Sequence, residues 1–144
     1  MVAHPGAVAM VAHDERDLYL VRQPREAVGE DALLELPAGK LDVPGESALD
    51  CAKRELVEEI GKSAAEWREL KRLFTSPGFA DEEVIVYLAT GLEDASPEAS
   101  GEEERLQVIP WPLDRLDAAI DECRDSKSLI GMLLLRDLRA AGSA

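Results

Sequence analysis

Glu55, Glu58 and Glu59 fall in a segment that reads as one helix. A helix advances about 100° per residue, so Glu58 and Glu59 lie about 60° and 40° to either side of Glu55. Carboxylates this close destabilise a helix unless something neutralises them. A hard divalent cation does so, because Mg²⁺ takes oxygen ligands and serves phosphate chemistry. The spacing predicts a metal-dependent enzyme acting on a phosphorylated substrate. A glutamate-rich helix alone is usually a solvated face. Here Gly39, Glu46, Arg54 and Gly61 stand at fixed offsets around it, which composition alone does not require.

The elements around this helix follow from local patterns. Pro44-Gly45 marks a loop, and Ser47 is placed to cap the helix, with Asp50 three residues on as in a capping box. Leu49, Ala52, Leu56 and Ile60 form an apolar stripe beside the carboxylates. Gly61 ends the helix in a left-handed conformation. Residues 7–12 read as a strand, and 18–22 as its hairpin partner after a polar turn. A short strand over 32–36 enters a turn at Pro37-Ala38-Gly39. Strands are expected near 70–74, after a loop holding Trp67, and over 84–89 and 106–111. Residues 93–104 read as a loop rich in acidic residues. Pro112 suits the first turn of a helix to about Cys123, and Ser126 the cap of a last helix to about Arg139. This order predicts one α/β domain spanning residues 1–144, a mixed sheet between helices.

The segment from Gly39 to Lys62 resembles the Nudix box, G-x5-E-x7-R-E-U-x-E-E-x-G-U with U aliphatic. Two positions depart from it. Six residues separate Gly39 from Glu46, and Lys62 takes the last aliphatic place. The extra residue falls in the Pro-Gly loop and leaves the register from Glu46 to Gly61 unchanged. The flanks are similar to the ADP-ribose pyrophosphatase-like subfamily of Nudix hydrolases. Residues 35–42 read ELPAGKLD, residues 76–82 SPGFADE, residues 21–25 VRQPR and residues 125–129 DSKSL. The resemblance runs from His4 to about Leu138. It implies the Nudix fold, an α/β/α sandwich with a mixed β-sheet between helices. Members of the subfamily often carry a further N-terminal subdomain that helps form the dimer and the nucleotide pocket. That subdomain is not recognised here, which leaves base specificity and dimer geometry open.

The resemblance also implies a reaction: Mg²⁺-dependent hydrolysis of a nucleotide sugar, with ADP-ribose split to AMP and ribose 5-phosphate. Mn²⁺ can substitute. The alternatives are another Nudix substrate (a nucleoside triphosphate, dinucleoside polyphosphate or GDP-sugar) or a non-catalytic nucleotide-sugar sensor. The implied metal ligands are the Ala38 carbonyl, Glu55, Glu58, Glu59 and Glu104. Glu102 is implied as general base, with Glu58 and Arg54 in the catalytic set. Arg54 suits tying Glu46 to the helix better than touching substrate. The run Glu102-Glu103-Glu104 is equally readable as a solvated acidic loop. Arg25, Arg22, Phe79, Glu82 and Gly39 are the implied substrate contacts. A guanidinium suits phosphate, but either arginine also suits a surface ion pair, and Phe79 suits a core.

Composition narrows the partners. A net charge of −14 argues against a general nucleic-acid binder. Such a protein repels an anionic substrate at long range, so a bound cation and a few arginines must reverse the field locally. Cys51 and Cys123 are expected as free thiols, in keeping with a cytoplasmic protein. No charged leader followed by an apolar stretch is visible, and the longest apolar run, residues 129–135, is too short to span a bilayer. A homodimer is expected from the family. Trp67 and Trp111 read as packing residues, and His4 and His13 lack metal-ligand spacing.

Overall fold

Strand β1 (Ala7–Ala12) is buried along its whole length, which requires cover on both faces of its sheet. Ala7, Ala9 and Val11 point into one core and Val8, Met10 and Ala12 into another. The structure, a computed structural model, describes residues 3–96 and 106–144. It has β2 (Asp17–Arg25), β3 (Glu30–Glu35), β4 (Ala38–Lys40), α1 (Ala48–Ile60), β5 (Lys62–Phe74), β6 (Glu83–Asp94), β7 (Gln107–Pro112), α2 (Leu116–Glu122) and α3 (Ser126–Ala140).

Among these, β4-β1-β6-β5 form one sheet and β3-β2-β7 a second. The four-stranded sheet is mixed: β1 runs parallel to β6 and antiparallel to β4, and β5 is antiparallel to β6. Helix α1 covers one face through Cys51, Ala52, Leu56 and Ile60. Helices α2 and α3 cover the other through Leu116, Ala119, Met132 and Leu135, together with Leu18, Leu20, Leu34 and Leu36 of the second sheet region. The expected mixed sheet between helices is therefore present.

Several local expectations are corrected. Strands β1 and β2 are not a hairpin pair. They meet only at the bridge His13–Leu18 and then diverge into different sheets. The Pro37-Ala38-Gly39 turn continues as β4, paired to the edge of β1. The strand expected near 70–74 begins at Lys62, directly after the helix cap, and Trp67 lies within it. Its side chains are mostly polar, so apolar periodicity showed only the C-terminal end, while the ladder to β6 orders the rest. Trp67 packs edge-on against Tyr87, at 6.1 Å between ring centroids. Pro112 ends β7 instead of opening a helix, and a 3-10 turn over Leu113–Arg115 intervenes. The cap of α3 is Asp125, not Ser126: its carboxylate accepts from the Ser128 N–H.

The start and end of α1 are as expected. Ser47 Oγ accepts from the Asp50 N–H, and Gly61 closes the helix at φ 69°. Both cysteines are buried free thiols in separate cores. No helix among the described residues is long and apolar enough to cross a membrane.

Candidate active site

The helix register brings Glu55 and Glu59 under β4. Gly39 is required there, because a Cβ at this position would overlap Glu55 Cγ and Cδ. Met10 N–H donates to Pro37 O at 2.9 Å and Leu41 N–H to Gly6 O at 3.0 Å. These bonds bracket the Ala9–Ala38 pair, so Ala38 is a residue whose own N–H and C=O point away from β1. The Ala38 N–H donates to Glu59 Oε1 at 3.1 Å. The Ala38 carbonyl, on the outer side of the same edge strand, is thus turned from the sheet ladder.

Arg54 organises the rest of this group. Its Nε and Nη2 donate to both oxygens of Glu46 at 2.8 and 2.9 Å, and its Nη1 donates to Glu55 and Glu58 at 3.0 and 3.1 Å. The loop glutamate is tied to the helix as expected. Burial pushes the Glu55 carboxyl up from its ordinary value; Arg54 pulls part of this back, and Glu58 adds to the rise. Such crowded carboxylates suit a divalent cation, which would relieve the repulsion that one guanidinium now shares among three glutamates. Among the described residues no three carboxylate, His or Cys side chains already converge as a metal cage. Arg54 and the Ala38 N–H occupy carboxylate oxygens instead. The oxygen-only donor set of Glu55, Glu58, Glu59 and the Ala38 carbonyl nonetheless fits a hard cation.

The carboxylates open onto a cleft of about 710 Å³, whose lining includes Ala38, Gly39, Lys40, Glu55, Glu59 and Glu82 together with Arg25, Arg124, Asp125 and Lys127. Arg25 reaches it because β2 breaks register between Gln23 and Arg25. Pro24 has no N–H for the ladder, and a bulge there re-aims the next side chain. Its partner is Glu35, a carboxylate only 1% exposed, which accepts from Arg25 Nε at 2.7 Å and Nη2 at 2.9 Å. Lys127 Nζ lies 3.5 Å from the same carboxylate and 3.0 Å from Asp125 Oδ2. Asp125 also accepts from Ser128 Oγ at 2.6 Å, and Ser128 Oγ accepts from the Leu36 N–H at 2.8 Å. These bonds pin the first turn of α3 to the end of β3. Burial pushes the Asp125 carboxyl up, but Lys127 and the bonds from Ser128 outweigh it and the net shift is downward.

The other expected contacts separate. Arg22 donates to both oxygens of Glu122 at 2.6 and 3.3 Å and does not line the cleft. This is the surface ion pair its position also allowed. Phe79 is 62% exposed, in a turn closed on Ser76 O, and is neither core nor cleft lining. Glu82 lines the cleft, accepts from Thr75 Oγ1 at 2.7 Å and lies 3.4 Å from His4 Nε2. Glu58 stays on the helix beside Arg54, outside the cleft lining. Glu102 and Glu104 lie outside the described residues.

Sequence reasoning assigned no role to Glu35, Lys127, Asp125 or His4. One signal was available for Glu35: an ionisable residue between Leu34 and Leu36 in a short strand must find a partner if it is buried. Nothing local pointed to that partner, because Arg25 and Lys127 reach it from β2 and α3.

The NUDIX domain profile matches residues 3–128. An ADP-ribose pyrophosphatase of Mycobacterium tuberculosis is 48% identical over 115 residues, covering 78% of this chain and 55% of that relative. The chain thus spans little more than half of that relative's length. A methanol dehydrogenase activator of Bacillus methanolicus is 39% identical over 140 residues, covering 94% of the chain and 75% of that protein. A crystal structure of an ADP compounds hydrolase superposes with a TM-score of 0.84 at 28% identity, covering 96% of this chain and 75% of that one.

Proposed function

The chain belongs to the NUDIX family, and from that premise we propose that it is a pyrophosphohydrolase of nucleoside diphosphate derivatives, with ADP-ribose as substrate. Water is added across the pyrophosphate, one P–O bond breaks, and the products are AMP and ribose 5-phosphate. The observation that carries this reading is a single cleft that holds the glutamates of α1 beneath Gly39 and, elsewhere in its lining, Arg25 and Lys127. Substrates of this class need both sets, one for the reacting phosphates and one to grip the anion. The ADP-ribose and ADP-compound activities carried in the names of two relatives favour this substrate among Nudix nucleotides.

Glu55 and Glu59, with Glu58 and the Ala38 carbonyl, are the residues proposed to hold Mg²⁺ or Mn²⁺, joined by Glu104. When bound, the cation supplies charge neutralisation and acidifies the attacking water. Arg54 keeps the glutamates in position through Glu46. Arg25 grips a phosphate oxygen, Gly39 gives Glu55 room, and Glu82 borders the cleft on the substrate side. Glu102 is the proposed base that takes the proton from water. The reading includes a homodimer in the cytoplasm acting on a nucleotide sugar, without nucleic acid or membrane as partner.

Product identification tests it. The purified chain is incubated with Mg²⁺ and ADP-ribose beside GDP-mannose, nucleoside triphosphates and a dinucleoside polyphosphate. AMP and ribose 5-phosphate, abolished by chelator, are expected. Turnover of another nucleotide alone would overturn the ADP-ribose assignment, and ADP-ribose binding with no turnover at all would favour the sensor.

A further inference from the structure

We propose that Glu35 is a positioning residue which sets Arg25 and Lys127 as a two-cation clamp for the diphosphate of the substrate. The inference deepens the reading of the cleft as a nucleoside diphosphate site and rests on it.

Glu35 is at the end of β3 and 1% exposed, yet it does not line the cleft. The two cations it holds do. A buried ion pair is weak evidence for stability, because desolvation offsets most of its attraction, and an apolar pair of similar volume often serves as well. The pair therefore needs another explanation, and geometry supplies one. Glu35 accepts from Nε and Nη2 of Arg25, which uses one edge of the guanidinium. A guanidinium carries five N–H donors, so the edge built from Nη1 and the second Nη2 hydrogen keeps a fixed direction for an anion. Lys127 approaches the same carboxylate from α3, and Asp125 restrains its Nζ from the other side. An unrestrained Arg or Lys would lose much side-chain freedom on gripping a phosphate, and Glu35 removes most of that loss beforehand.

The sign of the effect separates this from simple electrostatics. Removing a carboxylate from a cationic group strengthens anion binding if only the field matters. It weakens binding if the carboxylate acts by positioning. The test uses inorganic pyrophosphate titrated calorimetrically into the full chain in the presence of chelator, so that no bound cation contributes. The wild type binds, and Glu35→Gln is expected to bind about tenfold more weakly, the usual effect of removing a group that orients a ligating side chain. In the Arg25→Lys background, where the fork is already lost, Glu35→Gln is expected to cost less than in the wild type, because only Lys127 is left for it to position. Equal or tighter binding by Glu35→Gln, full additivity with Arg25→Lys, or no binding by the wild type would each overturn the clamp. Should Glu35→Gln fail to fold, Lys127→Met removes one arm while leaving Glu35 paired to Arg25. It is expected to weaken pyrophosphate binding severalfold, and unchanged affinity would overturn the proposal. ADP-ribose turnover is run on the same wild-type preparation. Glu35-dependent pyrophosphate binding without turnover would remove the substrate reading and leave the clamp standing. Turnover with Glu35-independent binding would do the reverse.

Discussion

The carboxylate group and the cationic group of the cleft are assembled in opposite ways. Arg54 reaches Glu46, Glu55 and Glu58 within a stretch of helix and its preceding loop, never more than eight residues away. Glu35 and Lys127 are 92 residues apart, and Arg25 joins them from a third element. The first group is held by helix geometry. In the second, Arg25 and Glu35 pair between β2 and β3, but Lys127 joins them only while α3 lies against β1 and the end of β3. The first should therefore lose chemistry without losing the fold, whereas the second should respond to changes in packing.

The largest effect is expected from Glu59→Gln. The amide oxygen can still accept from the Ala38 N–H, so the melting temperature should stay close to that of the wild type. Loss of a charged oxygen from the proposed metal set should lower turnover by on the order of 100-fold. Initial rates beside a thermal melt check this, and a rate within a few-fold of wild type would remove Glu59 from the chemistry.

Gly39→Ala tests the same group through the backbone. The added methyl overlaps Glu55 Cγ and Cδ, so Glu55 or β4 must shift. Activity should fall about tenfold or more, with a stability loss of about 1–3 kcal/mol from overpacking, read by urea unfolding. Gly131→Ala is the counterpart in the other group. A Cβ there would stand 2.5 Å from Leu36 Cδ1 and 3.1 Å from Val11 Cγ2. Either the helix that carries Asp125 and Lys127 or the buried Leu36 side chain beneath it must shift, at a cost of about 1–3 kcal/mol. Its effect on activity should appear in KM, because the glutamates of α1 pack on the other face of the sheet. Unchanged stability would mean that α3 is not seated so tightly.

A smaller effect is expected at Asp125, in acid. Its folded carboxyl is held below the ordinary value by Lys127 and Ser128 against the opposing effect of burial. A depressed carboxyl contributes stability that is complete above its unfolded pKa and is lost as pH falls through the folded value. Asp125→Asn should flatten the acid limb of a stability–pH curve and lower stability at neutral pH by about 1 kcal/mol through the lost charge pairing with Lys127, since Asn caps a helix about as well as Asp. A parallel acid limb in the variant would argue against the assignment. Arg22→Ala should do least, within about 0.5 kcal/mol and with KM unchanged, since its pair with Glu122 is on the surface.

The same contrast explains what could be read from the chain. Ser47, Gly61 and the stripe from Ala52 to Ile60 are local signals, and the helix that carries the glutamates was legible almost to the residue. The apolar runs of β1 and of the first half of β6 were also legible as strands, as was the layer order. Strand partnership was not. Adjacency suggested that β1 and β2 pair, but the two covered faces of β1 place it between β4 and β6. Most of β5 was missed because its side chains are polar and its order comes from hydrogen bonds to β6. Arg25 and Arg22 could not be told apart by type. A bulge at Pro24 turns one into the cleft, and Glu122 holds the other at the surface.

The most direct test of the account is the separation of kcat from KM for ADP-ribose in Glu59→Gln and Arg25→Lys. Arg25→Lys keeps a charge beside Glu35 but loses the fork. The account predicts that Glu59→Gln lowers kcat with little change in KM, and that Arg25→Lys raises KM about tenfold with little change in kcat, the size expected for a charge-assisted hydrogen bond. If both variants moved the same parameter to the same extent, the division of the cleft into a reacting group and a gripping group would be wrong.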